Sequence, residues 1–453
     1  MNYSNNSPHG ADSALTVSTV PVRSIVDQVN QEVQFGIADQ AFWWDALAYP
    51  LAALLQTTQY SQPDQLYYLR WFHKWVMPAL GPRPIDGKPH YGAWLTHDGS
   101  CLEYSLNWKE KKPDQTIRFT IEPSSRNAGT AADPLKQLAA KEFLTAMAKD
   151  VPGIDMKRFN LFHSETCVPD HRANEVQIKI PGGSPLTLVW VAFDLERGSI
   201  VAKAYFLPHM KAVLTGIPTK TIVFDAIRKC NGPDGTYDGS ITALDDYLES
   251  FPVDKAPQVV LLSNDCVIDS ASCRNKVYVH ASVGTLAHAK DMFHLAGRLS
   301  GEVIAAGLRS IHDLWCHLFS LDSADPESEN AVVLANGRLF LCIYEMRPTK
   351  AVNEGVNMEV KLHIPGWRVG KSDTELSELM RSWFTSHGHG NLAGRYESDL
   401  ASAFPRYDTT TGGQRTHTWI SITYTAKTGV YMTMYYTPKL PEMYFKSPQH
   451  LNN

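Results

Sequence analysis

The sequence predicts an α+β fold in which a closed, ten-stranded antiparallel β-barrel is ringed by α-helices. Helical and strand periodicities alternate along the chain as five helix-helix-strand-strand units. Cationic residues recur at corresponding strand positions of successive units, at Arg118, Lys203, Lys276 and Lys361. Because closing a sheet of consecutive hairpins removes both exposed edges, these units favour one barrel over an open sheet.

The first unit shows how each element is predicted. Apolar residues at helical spacing cover 41–56 and 62–80, and Gly81 and Pro82 end the second helix. Alternation with period two then predicts strands over 101–107 and 115–122. These four elements form the pattern that later units repeat.

The later units follow in the same order, with Arg197 and Gly198 as the turn of the second hairpin. Predicted helices cover 134–151, 219–229, 242–250, a segment from 285, 374–386 and 393–404, and predicted strands cover 186–194, 200–207, 259–262, 274–280, 339–344, 358–364, 418–425 and 431–436. We expect a single domain over residues 35–445, preceded by a flexible N-terminal tail and lead-in over residues 1–34.

Composition and charge exclude several classes of protein. The formal net charge is -5 and the isoelectric point is near 6.4, which favours neither nucleic acid nor an anionic membrane as a partner. No signal peptide or apolar stretch of about 20 residues is present. The 7 cysteines form no Cys-x-x-Cys pair, which indicates reduced thiols and a cytoplasmic protein. The sequence leaves open whether the chain forms a homodimer.

Cations and tyrosines share strand faces. Because residues two apart point to the same side of a strand, Lys203 lies beside Tyr205, and Tyr278 lies beside Lys276. Arg118 lies on a wholly polar face. The same analysis places further polar side chains on shared faces: Arg274 and His280, Lys361 and His363, and Tyr431 and Tyr435.

If helices cover the apolar faces, these polar faces line the barrel interior. Buried cations need an anionic partner, and a diphosphate matches several Arg and Lys donors at once. Tyrosine rings stabilise a carbocation by about 0.5 to 2 kcal/mol each and keep water away. The pattern therefore predicts ionising prenyl transfer, and the alternative is a sheet whose polar faces meet solvent. Repetition in four hairpins without interspersed Asp or Glu favours the interior.

Glu103 is the acidic residue on the inward face of the first strand, where it accompanies Ser105 and Asn107. A carboxylate there can accept the N–H of an indole, orient the ring and increase its nucleophilicity. An isolated strand glutamate on the surface is the alternative.

Several segments together resemble the dimethylallyltryptophan synthase family of fungal indole prenyltransferases over roughly residues 35 to 440. The matching segments are Phe42-Trp43-Trp44, Leu80-Gly81-Pro82, Leu102 to Asn107, Arg118 with Glu122-Pro123, Lys203-Ala204-Tyr205, Arg274 to Tyr278, and Tyr431 with Tyr435. The resemblance implies the ten-stranded fold called the ABBA or PT barrel.

The resemblance also implies roles for individual residues. Arg118, Lys203, Arg274, Lys276 and Lys361 correspond to the diphosphate-binding positions, Tyr205, Tyr278, Tyr431 and Tyr435 to the cation shield, and Trp94, Leu95, Glu103 and Trp190 to positions that contact the acceptor.

Two positions depart from the family pattern. His363 stands where a shielding tyrosine is common, and it is expected to donate to the diphosphate or to accept a proton. Trp190 stands where tryptophan-using members carry a proton-accepting lysine. Free tryptophan is therefore disfavoured as the acceptor, and Glu103, His363 or the released diphosphate is left to take the proton.

The expected reaction is transfer of a dimethylallyl group from dimethylallyl diphosphate to a tryptophan-derived indole, with a phenolic or polyketide ring as the alternative acceptor. The Asp245-Asp246 pair resembles the aspartate-rich metal motif of helical isoprenyl synthases. It occurs once, on an amphipathic helix, whereas such enzymes need two acidic motifs that face one metal cluster. We therefore expect no obligatory metal and no other cofactor. A non-catalytic anion-binding barrel and a chain-elongating synthase are the remaining alternatives.

Overall fold

The chain folds into a β-barrel that closes on itself. The structure is a computed structural model that describes residues 21–112, 114–179, 187–232, 235–268, 273–337, 339–350, 355–407 and 415–445. Within these ranges ten strands each pair antiparallel with their neighbours, and the first pairs with the last. The strands are β1 Leu102–Lys109, β2 Ile117–Ile121, β3 Val189–Glu196, β4 Ser199–Phe206, β5 Gln258–Asp265, β6 Asn275–His280, β7 Leu341–Met346, β8 Met358–Pro365, β9 His417–Thr425 and β10 Gly429–Tyr436.

Helices precede every hairpin and cover the outside of the barrel. The α-helices are Val22–Glu32, Ala38–Thr57, Gln62–Trp71, Met77–Ala79, Leu138–Asp150, Lys157–Thr166, Ala173–Lys179, His209–Thr215, Thr219–Arg228, Asp238–Glu249, Leu286–His294, Glu302–Phe319, Asp373–Ser386, Gly390–Ala393 and Tyr396–Ala403. None of the described helices is long and apolar enough to cross a membrane. The predicted fold class and its five repeated units are confirmed.

The outward strand faces form the hydrophobic core with the helices. In β2, Ile117, Phe119 and Ile121 are fully buried, whereas Arg118 and Thr120 between them are partly exposed toward the interior of the barrel. The ring centroid of Phe119 lies 5.2 Å from that of Phe72 on the covering helical segment. Burial of apolar surface stabilises the fold by about 25 cal/mol per Å². Because the apolar side of each strand packs against the helices, the polar side faces the interior of the barrel.

Helix Val22–Glu32 corrects the prediction of a flexible lead-in at residues 1–34, as far as residues 21–34 are concerned. Ile25 and Val29 are fully buried against the core, and Trp44 Nε1 donates a hydrogen bond to Asn30 Oδ1 at 2.7 Å. Glu32 forms an ion pair with Arg70 at 2.6 Å. Residues 1–20 lie outside the described residues, as does Leu186, the first residue of one predicted strand.

Candidate active site

Two cavities of different character are lined by inward-facing strand residues. The first, about 410 Å³ in volume, is called the charged cavity, and its lining includes Arg118, Lys203, Arg274, Lys276, Arg347, Lys361, Glu345, Glu359 and Tyr431. The second, about 350 Å³ in volume, is called the aromatic cavity, and its lining includes Trp94, Leu95, Glu103, Trp190, Tyr205, His209, Tyr278, His280, His363, Trp419 and Tyr435. Every site residue predicted from the sequence lines one of the two.

Carboxylates lie directly across from the cations of the charged cavity on neighbouring strands. Arg118 on β2 is in register with Asp194 on β3. Lys203 on β4 is in register with Asp265 on β5, and Lys276 is in register with Glu345 in the same way. The expectation of cations without interspersed acids was therefore wrong. In these three pairs each strand carries one sign of charge at the paired positions, and pairing brings the opposite sign beside it, whereas β8 carries Glu359 and Lys361 on the same face.

The carboxylates hold the cations in fixed positions. Asp194 pairs with Arg118 Nε at 3.2 Å and also accepts a hydrogen bond from Lys203 Nζ. Asp265 pairs with Arg274 Nη2 at 2.6 Å and with Lys276 Nζ at 3.6 Å. These groups are largely buried, so losing one partner would leave a charge uncompensated.

Glu345 joins three cations at the centre of the charged cavity. Its carboxylate accepts from Arg274 Nη1 at 3.1 Å, Arg347 Nη2 at 2.8 Å and Lys361 Nζ at 3.2 Å. The side chain is fully buried. Burial raises the pKa of Glu345, but Lys361 and Lys276 lower it more, so the pKa stays well below its usual range. Glu345 is therefore ionised and orients the three cations.

Two other groups in the charged cavity have pKa values near neutrality. Burial and the charges of Arg274 and Lys203 lower the pKa of Lys276 to about 8, against the opposing effect of Asp265. Burial also raises the pKa of Tyr431, but Arg118 and Lys361 outweigh it and lower the pKa to about 7. The charge of this cavity therefore changes within the physiological pH range.

Tyr431 belongs to the charged cavity, whereas the other three predicted shield tyrosines line the aromatic cavity. Its hydroxyl accepts a hydrogen bond from Arg118 Nη2 at 2.7 Å, and Lys361 Nζ lies 5.3 Å from the centre of its ring. This position suits a contact to a bound anion as well as to an allyl group. The assignment of Tyr431 to a shield is thus one of two roles that its position permits.

Tyr205, Tyr278 and Tyr435 present neutral phenol rings to the aromatic cavity. The ring centroids of Tyr205 and Tyr278 are 6.0 Å apart with an interplanar angle of 61°. Burial raises the pKa of each of these phenols above the usual range. Such rings direct the negative face of their quadrupole at a cation without carrying a charge that would capture it.

Glu103 lies on the wall of the aromatic cavity, as predicted from its strand face. It is 5% exposed, and one of its oxygens accepts a hydrogen bond from Thr418 Oγ1. Thr120 on β2 is its register partner. The carboxylate thus occupies a fixed position from which it can receive a donor group of a bound ring.

His363 lines the aromatic cavity and is not part of the lining of the charged cavity. Its ring is stacked on Trp419 with centroids 4.4 Å apart, and its centroid lies 5.0 Å from that of Tyr435. Burial lowers the pKa of His363 to about 3, so the imidazole is neutral. Within the described part of the chain, its buried Nδ1 has no hydrogen-bond partner.

The sequence analysis missed several residues of the site. The role of some depends on pairing between strands, and others required the alternation of faces along one strand. Asp265 and Glu345 lie beyond the predicted strands 259–262 and 339–344 and became visible only through register, whereas Asp194 ends the predicted strand 186–194 and was not recognised as the partner of a cation. Trp419 could have been found from the sequence, because Trp419 and Ser421 alternate with Ile420 and Ile422 along β9. Ile420 and Ile422 are fully buried, which leaves Trp419 and Ser421 on the inward face. Arg347 and His209, which follow predicted strands, were missed as well, whereas His280 had been placed on the inward face without a role.

Asp245, part of the acidic pair that resembles a metal motif, lies on helix Asp238–Glu249 and pairs with Lys220 at 2.8 Å. Neither Asp245 nor Asp246 lines the charged or the aromatic cavity. Across the described residues, no group of three or more His, Cys, Asp or Glu side chains is arranged to hold a metal ion.

Comparison with known families gives a match to tryptophan dimethylallyltransferase over residues 39–399. The chain belongs to this family. A relative from Pestalotiopsis fici, named prenyltransferase iacE, is 52% identical over 92% of this chain and 95% of its own length. The 7-dimethylallyltryptophan synthase hasE of Aspergillus fumigatus is 30% identical over 87% of this chain and 84% of its own length.

Solved structures of the same fold support the assignment of the barrel. AnaPT from Neosartorya fischeri has a TM-score of 0.78 at 24% identity, covering 91% of this chain and 97% of its own. NotF in complex with brevianamide F and DMSPP has a TM-score of 0.76 at 24% identity, covering 91% and 98%. This member of the tryptophan dimethylallyltransferase family is an aromatic prenyltransferase, and its barrel is the PT barrel.

Proposed function

We propose that the protein transfers a dimethylallyl group from dimethylallyl diphosphate to a carbon of a tryptophan-derived indole, without an obligatory metal. The observation that carries this proposal is a pair of cavities in one barrel, one rich in cations and one lined by aromatic rings. The first suits a diphosphate and the second suits an allyl cation beside an electron-rich ring.

The charged cavity supplies the positive charge that ionisation of the donor requires. Its lining has seven Lys and Arg side chains and two carboxylates. Asp194 and Asp265 offset part of the excess, and the cavity remains positive. When the allylic C–O bond breaks, the diphosphate keeps the electron pair, and Arg118, Lys203 and Arg274 stabilise the charge that develops on it. These side chains do what a divalent cation would do for the leaving group.

The allyl cation is then held by the neutral rings of Tyr205, Tyr278 and Tyr435. The aromatic walls exclude water that would otherwise capture the cation. Tyr431, in the charged cavity, contacts the diphosphate of the donor through a hydrogen bond of its hydroxyl. The indole carbon attacks the cation and forms the new C–C bond, which leaves a proton on the attacked carbon.

Glu103 accepts the indole N–H, fixes the ring and increases its nucleophilicity. The arenium proton passes to Glu103, to the neutral imidazole of His363, or to the released diphosphate. An arenium ion is a far stronger acid than a histidine whose pKa is about 3, so His363 is competent to receive this proton. Its buried Nδ1, without a partner in the described ranges, supports this assignment.

The nature of relatives supports an indole acceptor and keeps a phenol as the second candidate. Relatives include the 7-dimethylallyltryptophan synthase described above and the tryptophan dimethylallyltransferase of Claviceps fusiformis, which is 27% identical. The 4-O-dimethylallyl-L-tyrosine synthase of Claviceps purpurea, 26% identical over 76% of this chain, acts by its name on a phenol. Glu103 and His363 provide polar groups that would also suit a hydroxyl.

Trp190 in place of a lysine disfavours free tryptophan. Because relatives are named as prenyltransferases, we set aside a non-catalytic anion-binding barrel.

The first test is turnover with dimethylallyl diphosphate and a panel of indoles, cyclic tryptophan dipeptides, tyrosine and simple phenols, measured by mass spectrometry with and without EDTA. We expect a product heavier by one dimethylallyl group with an indole, at the same rate in both conditions. Product with phenols alone would replace the indole acceptor by the second candidate. Loss of activity in EDTA, restored by a divalent metal, would contradict metal independence.

The matched variants are Lys203→Met and Lys220→Met. Lys203 lines the charged cavity, whereas Lys220 pairs with Asp245 on the outer helix layer. Since removal of one group that stabilises a developing negative charge costs about a hundredfold to a thousandfold in rate, we expect that loss for Lys203→Met. Lys220→Met should retain the wild-type rate. Equal rates for the two variants would contradict the placement of the diphosphate.

A further inference from the structure

Glu122 is a buried carboxylate behind the wall of the aromatic cavity. It follows the last residue of β2 and is 1% exposed. It does not line the aromatic cavity itself. Four hydrogen bonds converge on its two oxygens, which is close to the full capacity of a carboxylate.

The two oxygens of Glu122 serve different parts of the structure. Oε1 accepts from Lys136 Nζ at 2.7 Å and from Thr187 Oγ1. Oε2 accepts from the backbone N–H of Trp94 at 2.7 Å and from Trp190 Nε1 at 3.3 Å. Lys136 and Thr187 line neither the charged nor the aromatic cavity, whereas both tryptophans line the aromatic cavity.

We infer that Glu122 is a positioning residue of the acceptor site, which fixes the place of Trp94 and the ring orientation of Trp190. The buried ion pair with Lys136 holds the carboxylate, whose other oxygen then holds two cavity walls. This inference rests on the proposed function in one respect, namely that the aromatic cavity receives the acceptor ring. It gives a role to the glutamate of the Glu122-Pro123 motif.

Fixed walls matter because the reaction chooses one carbon of the acceptor. An aromatic ring presents several nucleophilic positions, and a displacement of about 1 Å changes which of them meets the cation. Trp190 lies within contact range of the shield, with its ring centroid 6.5 Å from that of Tyr205. A tryptophan that turns freely at this point would admit more than one ring orientation.

The test variant is Glu122→Gln. A glutamine has one oxygen and one NH2 group, and keeping its oxygen toward Lys136 places the NH2 group against the two N–H donors. The variant therefore releases Trp94 and Trp190 first. We expect the KM for the acceptor to rise about tenfold, since a hydrogen bond to a charged group is worth about that factor or more, and a second regioisomer to form. The KM for the donor should stay within about twofold.

Two further variants separate positioning from general stability. Thr187→Val removes one contact to Oε1 and leaves Oε2 unchanged, so acceptor KM and regioisomer ratio should match wild type. Trp190→Phe removes the indole N–H that Oε2 accepts. Its effect on regioisomer ratio should not add to that of Glu122→Gln in the double variant, because both break the same contact.

A measurement independent of turnover is the indole N–H signal of Trp190 in ¹⁵N NMR, assigned by its absence in Trp190→Phe. We expect slow hydrogen exchange of this signal in wild type and in Thr187→Val, and fast exchange in Glu122→Gln. Fast exchange already in wild type would overturn the inference, as would an unchanged regioisomer ratio and acceptor KM in both Glu122→Gln and Trp190→Phe. If wild type transfers no prenyl group but shows the expected exchange pattern, the proposed function fails while the fixed position of Trp190 stands.

Discussion

At the scale of single residues, the charged cavity contains two groups that titrate near neutral pH. Lys276 has a pKa lowered to about 8, and Tyr431 has a pKa lowered to about 7. Both lose a proton as pH rises, and each loss makes the cavity more negative. A bound diphosphate favours the protonated form of both residues, so donor binding is coupled to proton uptake.

We therefore expect donor affinity to fall as pH rises from 7 to 9. The ligand is the donor analogue dimethylallyl thiolodiphosphate, and the last ionisation of a phosphate group lies near pH 6, so its own charge is nearly constant over this range. Titration calorimetry should give a Kd at least about tenfold weaker at pH 9 than at pH 7. Tyr431→Phe removes one titrating group and should show a smaller pH effect. A constant Kd in wild type would contradict these pKa shifts.

The sequence predicted the lumen side chains that carry their own periodic signal. Arg118, Tyr205 and Lys276 alternate with apolar residues along single strands, which reveals the inward face. Asp265 could not be found in this way, because Asp is rare in strands and the predicted strand ended at residue 262. Only pairing with β4 and β6 shows that β5 continues to Asp265 and places it opposite Lys203.

At the scale of elements, the segment Val22–Glu32 has a helical periodicity in its sequence. The prediction gave more weight to polar composition than to this periodicity. Val22, Ile25, Val26 and Val29 follow helical spacing. The polar residues upstream favoured a flexible segment through residue 34. The buried side of this helix packs against the core that includes Trp44, so it is part of the domain.

We expect Ile25→Ala to lower the free energy of unfolding by about 2 to 4 kcal/mol, the usual cost of truncating a buried isoleucine. Ile25 is 1% exposed. The control is Arg23→Ala, at an exposed position of the same helix, which should change the free energy by less than about 0.5 kcal/mol. Denaturant unfolding measures both. Equal stability of Ile25→Ala and wild type would mean that this helix does not pack on the barrel in solution.

At the scale of the whole molecule, closure of the barrel brings distant parts of the chain into one site. β1 pairs with β10, which sets Ser105 opposite Tyr435 across the full length of the chain. The repeated units and the family resemblance predicted this closure, because each hairpin has the same pattern of faces. Division of the interior into a charged and an aromatic cavity was not predictable, since it depends on the height of each residue along the barrel axis.

The central claim is that the two cavities hold the two halves of the donor. A crystal structure with dimethylallyl thiolodiphosphate tests it most directly. We expect the diphosphate oxygens within about 3.2 Å of donors on Arg118, Lys203 and Arg274, and the dimethylallyl group among Tyr205, Tyr278 and Tyr435. A diphosphate bound outside the charged cavity, or a dimethylallyl group turned away from the three tyrosines, would contradict the claim.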